Sequence, residues 1–364
     1  MNISQPLSHS VVARKTVLVT GFPVDVAKRQ AKGLAAGGDR VLLLARDTFT
    51  SQAQSFANNL NASLADQPHH GTCELLAGDI LQLDLGLTGA QVRQMHGEID
   101  EIYHAAAISY LGIHASRMRL VNVEGLRELL EFSLGCKKLQ RLCLWSTAFV
   151  AGSRGGVVLE DELSTGQHFR NPYEQTKAEA EQLARAAMAK LPITIVRVPI
   201  LVGDSQTGEV DRLDGPYLLI NAIVHAASAV PLPGRGKFPL PVVPVDFAVR
   251  AALALTRHPE ANGGTFHLVD EHPLTARAFF DAIADAAQRP RPTSFLPEGL
   301  AKAILNLPIV RGRVQSQRNF IEWFDTDVHF DNRRARTLLQ PLGISCPPVQ
   351  SYIDAIVRHV RERT

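Results

Sequence analysis

Six short, nearly uninterrupted apolar runs, with helical patterns set between them, dominate the first 203 residues. They are KTVLVT (15–20), RVLLLAR (40–46), CELLAGDI (73–80), EIYHAAA (101–107), LQRLCLWST (139–147) and ITIVRVP (193–199). Runs this short and continuous suit strands buried on both faces, and the helices supply the crossovers that parallel pairing requires. Right-handed crossovers then give an α/β, Rossmann-like doubly wound parallel sheet. Ligands bind such sheets beyond the carboxyl ends of the strands, so the residues just after each run are where chemistry belongs.

The pattern changes after Gly203. GDSQTGEVDRLDGPY is polar and turn-rich, whereas FPLPVVPVD and GTFHLVD read as strands returning to the main sheet. From about Leu274 the chain is mostly helical, with prolines between segments. The expected division is a nucleotide-binding domain over 14–203, with 239–270 returning to it. Residues 204–238 and 271–364 then form a smaller, mostly helical C-terminal substrate domain.

The 364 residues are 45% hydrophobic and 20% charged with a net charge of +2, enough to bury a large core and no argument for a nucleic-acid partner. Cys73, Cys136, Cys143 and Cys346 lack metal-ligand spacing and read as thiols of a reducing compartment, with no metal. The N-terminus has no continuous apolar core of a secretory signal. No stretch reaches the roughly 18 apolar residues of a membrane span. A cytoplasmic protein without a transmembrane segment is expected, with room for peripheral membrane contact.

Tyr173 and Lys177 lie four apart at the start of a predicted helix, on one face, just after Pro172. A nearby ammonium favours phenolate and brings a tyrosine toward usable general-acid strength. The preceding strand ends in Ser146-Thr147, where the Thr147 hydroxyl can hydrogen-bond a substrate carbonyl and stabilise its developing charge. At the first strand, Gly21-Phe22-Pro23-Val24-Asp25-Val26 occupies the place of a dinucleotide phosphate loop. Val24 and Ala27 stand where further glycines belong, Pro23 has no N–H, and Asp25 sits at a helix start that favours anions. Its carboxylate either caps the helix and repels phosphate, or turns away while Lys28 or Arg29 compensates. Arg46, ending the second strand, suits the 2′-phosphate of NADP(H).

A strand-end hydroxyl followed by Tyr-x-x-x-Lys on this background resembles the extended short-chain dehydrogenase/reductase family, over nearly the whole chain. The resemblance implies that Thr147, Tyr173 and Lys177 are catalytic. It also implies cofactor contacts at the 21–26 turn, Arg46, Asp79 and Ile80, Ala105, Ala106 and Ala107 of HAAA, Tyr173, Lys177 and Pro199, with Asn122 as a helix asparagine. VGDSQTGEVDRLDGPYLL, VVPVDFAVRAAL and GTFHLVDEHPLT are similar to the fatty acyl-CoA reductase and thioester-reductase branch. That implies NADPH-dependent reduction of a fatty or polyketide-like acyl thioester, on CoA or acyl carrier protein, to aldehyde or onward to alcohol. FLPEGLAKAILNLPIV (Phe295–Val310) then reads as an acyl tunnel, a membrane rest or an ordinary core helix. A homodimer through the helices bearing Asn122 and Tyr173 is implied as well. The alternatives are an NADP-dependent oxidoreductase of a ketone or hydroxy group on a lipid-like or sterol-like substrate, and a non-catalytic cofactor-sensing protein with a decayed fingerprint. Arg46 argues against a sugar-nucleotide epimerase that holds NAD tightly.

Overall fold

The computed structural model describes residues 14–109, 113–296, 324 and 326–363. The first half runs β1 (Thr16–Thr20), α1 (Asp25–Ala36), β2 (Arg40–Ala45), α2 (Thr50–Leu64), β3 (Thr72–Ala77), α3 (Gly89–Glu98), β4 (Glu101–His104), α4 (Ala115–Arg119), α5 (Gly125–Leu134) and β5 (Arg141–Thr147). Then come β6 (Gly156–Val158), α6 (Pro172–Ala187), β7 (Ile193–Val198), β8 (Ile200–Val202), α7 (Tyr217–His225), β9 (Leu232–Pro233), β10 (Val242–Pro244), α8 (Val245–Arg257) and β11 (Thr265–His267). The chain closes with α9 (Ala276–Ala287), β12 (Phe295–Leu296), β13 (Val328–Phe330), α10 (Arg333–Leu339) and α11 (Ile353–Arg363).

Seven strands form one parallel sheet in the order β3-β2-β1-β4-β5-β7-β11. Successive side chains of a strand point to opposite faces. Val17, Val19, Val41 and Leu43 therefore pack under α1, α2 and α8, while Leu18, Leu42, Ile102 and Leu144 pack under α3, α5 and α6. Both faces are covered, as the continuous apolar runs require, and β5 is buried at every position but its first. A third apolar cluster joins α7, α9 and α11 through Tyr217, Ile220, Phe279, Phe280, Tyr352 and Ile356.

GTFHLVD does return to the main sheet, as β11 beside β7. FPLPVVPVD does not: β10 pairs with β8 in a separate two-stranded sheet. Pro199, between β7 and β8, explains the departure, because it offers no N–H to the ladder and ends β7 there. Of the proposed acyl-tunnel segment, Phe295–Leu296 pairs with β9, and 297–310 lies outside the described residues. Among the described residues no helix is long and apolar enough to cross a membrane.

The turn after β1 and the turn after β4 lie backbone against backbone at Gly21. Gly21 has φ +106°, and a Cβ there would lie 2.7 Å from the Ala105 carbonyl carbon and the Ala106 nitrogen. Only glycine meets both demands. Gly21→Ala is expected to cost about 1–3 kcal/mol, read from urea unfolding midpoints. An unchanged midpoint would refute the contact.

Candidate active site and nucleotide-binding turn

Asn171 starts α6 by accepting the Glu174 N–H on its Oδ1 at 3.0 Å, and Pro172 takes the first helical position. The helix lays Tyr173 and Lys177 over the carboxyl end of β5. Thr147 is the neighbour that opposes the rise of the Tyr173 phenol. Thr147 Oγ1 donates to the Val198 carbonyl at 3.2 Å and accepts the Phe149 N–H at 3.3 Å. Lys177 is buried, and its Nζ donates to the Trp145 carbonyl at 2.6 Å. The three residues singled out in the sequence thus converge where β5 meets β7, with Pro199 next to the Val198 carbonyl that holds Thr147.

The titration of Tyr173 departs from the expectation. Burial pushes the phenol up to about 12, against the opposing pull of Thr147. Burial also brings the Lys177 amine down to about 8, although the charge of Glu181 works the other way. Desolvation of both groups outweighs the attraction that the spacing alone suggested.

Beneath them lies a buried polar chain that the sequence reading did not identify. Glu181, one turn beyond Lys177, accepts from Ser146 Oγ at 2.8 Å and pairs with Arg197 at 2.7 Å, both charged side chains fully buried. Arg197 Nη1 donates to His267 Nε2 at 3.1 Å, and His267 Nδ1 donates to the Asp331 carbonyl at 2.7 Å. At the next strand ends, His104 Nδ1 lies 2.8 Å from Thr20 Oγ1. Signals were present: an arginine inside the apolar run ITIVRV, and a glutamate four residues after the lysine.

At the nucleotide end, the Phe22–Pro23 peptide is cis and the Val24 N–H closes the turn on the Gly21 carbonyl at 2.9 Å. Phe22 and Val26 are buried as core side chains, while Val24 is 44% exposed. No side chain caps α1, so the N–H groups of its first turn are left without an intrahelical partner. Asp25 does not cap either: its Oδ2 accepts from Arg29 Nε at 2.8 Å. Arg29 also holds Asp204 at 2.7 Å, and Lys28 holds Asp211 at 2.7 Å. A glycine floor under uncapped amides fits a pyrophosphate.

Of the other residues named from sequence, Arg46, Asp79 with Ile80, and Ala105 to Ala107 follow β2, β3 and β4 respectively. Ala105 N–H donates to the Thr20 carbonyl at 3.3 Å, with Ala106 and Ala107 following. Asp79 Oδ1 accepts the Leu81 N–H at 3.0 Å, and Ile80 is buried against Gly125. Arg46 is exposed, its guanidinium 5.3 Å from the Phe49 ring centroid. Asn122, in a widened turn between α4 and α5, holds both backbone groups of Ile108 and the Thr176 hydroxyl. A cavity of about 410 Å³ lies elsewhere, bounded by Phe247, His267, Asp270, Arg336 and Cys346, and none of Thr147, Tyr173 and Lys177 lines it.

His104 and His267 are each held down at about 3, chiefly by burial, then by the charges of Lys177 and Arg197 respectively. Their ordinary value is 6.5. Between those values the unfolded chain binds more protons than the folded one. Stability is therefore complete above pH 6.5 and lost as pH falls toward 3. We expect the two histidines to contribute a loss of about 2–3 kcal/mol between pH 7 and pH 5.5. Urea unfolding at the two pH values measures this, and equal stabilities would exclude buried neutral imidazoles.

Three similarities bear on this arrangement. Glycine betaine reductase ATRR of Emericella nidulans is 26% identical over 298 residues, covering 79% of this chain and 23% of that protein. Carboxylic acid reductase of Segniliparus rugosus is 27% identical over 201 residues, covering 50% of this chain and 17% of that protein. The chain thus spans under a quarter of either relative. The crystal structure of the terminal R domain from the myxalamid PKS-NRPS biosynthetic pathway superposes with a TM-score of 0.80 at 25% identity, covering 97% of this chain and 92% of that one. Residues 34–252, more than half of the chain, match the NAD-binding family described as male sterility protein. The chain belongs to that family, an NAD(P)-binding branch of the extended short-chain dehydrogenase/reductases.

Proposed function

We propose that this protein is an NADPH-dependent reductase that converts a carrier-bound acyl thioester to an aldehyde. The observation that carries the reading is the convergence of Thr147, Tyr173 and Lys177 at the carboxyl end of β5, one sheet edge from the uncapped start of α1. Its likeness to an R domain and to proteins named as reductases of glycine betaine and of carboxylic acids supports it. The exposed Arg46 guanidinium, with no carboxylate partner among the described residues, favours NADPH over NADH. We read the cluster of α7, α9 and α11 as the substrate side of the molecule, with CoA or an acyl carrier protein as the thiol released.

Reduced nicotinamide, when bound, supplies a hydride. Thr147 turns its hydroxyl from the Val198 carbonyl to the substrate carbonyl and polarises it. Tyr173, kept protonated at neutral pH, gives its proton to the oxygen as the carbon–hydride bond forms. Lys177 holds positive charge beside the phenolate that results. The hemithioacetal then loses its carbon–sulfur bond, releasing thiol and aldehyde.

Calorimetry with NADPH and NADH, followed by NADPH consumption with a long-chain acyl-CoA, tests the reading. Absence of nucleotide binding at millimolar concentration overturns it. Binding without acyl-CoA turnover points to a ketone or an acyl carrier protein substrate instead. Tyr173→Phe is expected to lower kcat by about a hundredfold or more with NADPH affinity kept. Turnover should also decline as pH rises through about 8, where Lys177 loses its proton. A rate flat from pH 7 to pH 9.5 would exclude a need for the ammonium.

A further inference from the structure

The segment from Asp204 to Asp211 lies across the first turns of α1 as a strap. It is internally tight: the Asp204 N–H donates to the Glu209 carbonyl at 2.9 Å and the Gly208 N–H to the Asp204 carbonyl at 2.8 Å. It is anchored on two further sides. Asp246, at the start of α8, accepts both the Ser205 N–H and its Oγ at 2.8 Å. Arg358 and Arg363 of α11 hold the carbonyls of Gln206, Val210 and Asp211. Gly208 sits so close to α11 that a Cβ would lie 2.1 Å from the Ala355 carbonyl oxygen.

From this fixed strap three carboxylates reach α1: Asp204 and Glu209 toward Arg29, at 2.7 and 3.9 Å, and Asp211 toward Lys28 at 2.7 Å. Asp204 takes one arm of the Arg29 guanidinium at 2.7 Å, while Arg29 Nε takes Asp25 at 2.8 Å. Arg29 is a planar fork with donors in fixed directions, so a clamp on one edge aims the other. Without that aim, Asp25 is the first residue of a helix with uncapped amides, and its carboxylate has every electrostatic reason to turn onto them. It would then occupy the seat of the pyrophosphate and repel it.

We propose that Arg29 is a positioning residue for the cofactor: clamped by Asp204, it holds the Asp25 carboxylate off the phosphate seat at the start of α1. This rests on the cofactor reading above.

A double-mutant cycle on the full chain separates positioning from simple charge. The readout is the NADPH dissociation constant by calorimetry, with thermal unfolding of each variant as the folding control. Asp25→Asn alone should change affinity less than the same substitution does in the Arg29→Gln background, because the carboxylate is already held away. Arg29→Gln should weaken binding about tenfold, and Asp25→Asn in the Arg29→Gln background should recover most of that loss. Asp204→Asn, which leaves Asp25 and Arg29 in place, should fall between wild type and Arg29→Gln. Affinity gains from Asp25→Asn that are equal in both backgrounds mean additive charge and overturn the proposal. So does an Arg29→Gln protein that binds NADPH like wild type. If the unsubstituted chain binds neither nucleotide, the cofactor reading itself fails, and this inference with it.

Discussion

The Glu181–Arg197 ion pair is the contact on which the placement of the site depends. Both side chains are wholly buried, and the pair ties α6 to β7 directly behind the residues that face the open sheet edge. Removing either partner would leave an uncompensated buried charge, at a cost of about 3–5 kcal/mol. The pair is also well satisfied. Ser146 on β5, Arg185 one turn on, His267 on β11 and the Glu162 carbonyl complete its hydrogen bonds. Because Tyr173, Lys177 and Glu181 follow one another at four-residue steps, fixing Glu181 fixes the rotation of α6 about its axis. That rotation decides which side chains meet Thr147.

What was legible in the sequence was local. Strand β5, helix α6 and the turn between β1 and α1 announce themselves through period, capping and turn chemistry, and they emerge close to where pattern alone sets them. The departure of β8 from the sheet was not legible, because it depends on which strand Pro199 fails to pair with. Partners distant in the chain were equally hidden. Asp204 looks like one acid in a polar loop, and nothing near it in sequence marks Arg29, 175 residues away, as its partner. The rise of the Tyr173 phenol was hidden for a related reason: spacing shows the neighbouring charge but not the desolvation around it.

The glycines expected in a phosphate loop turn out to answer different demands. Gly21 is required by the backbone, since the β4 turn lies against it. Ala27 is fully buried in the core, where a methyl group packs without difficulty. Val24 is a matter of ligand approach alone, and its side chain stands partly in solvent. A fingerprint that looks eroded therefore keeps the one glycine that the fold itself demands.

The contact of Gly208 with Ala355 gives the strap a second meaning. It makes the packing of the last helix and the state of the first loop parts of one balance. Arg29 on α1 and Ala355 on α11 are thereby joined through one anchored segment. The first and last helices of the described residues are thus held by a shared segment and not independently of each other.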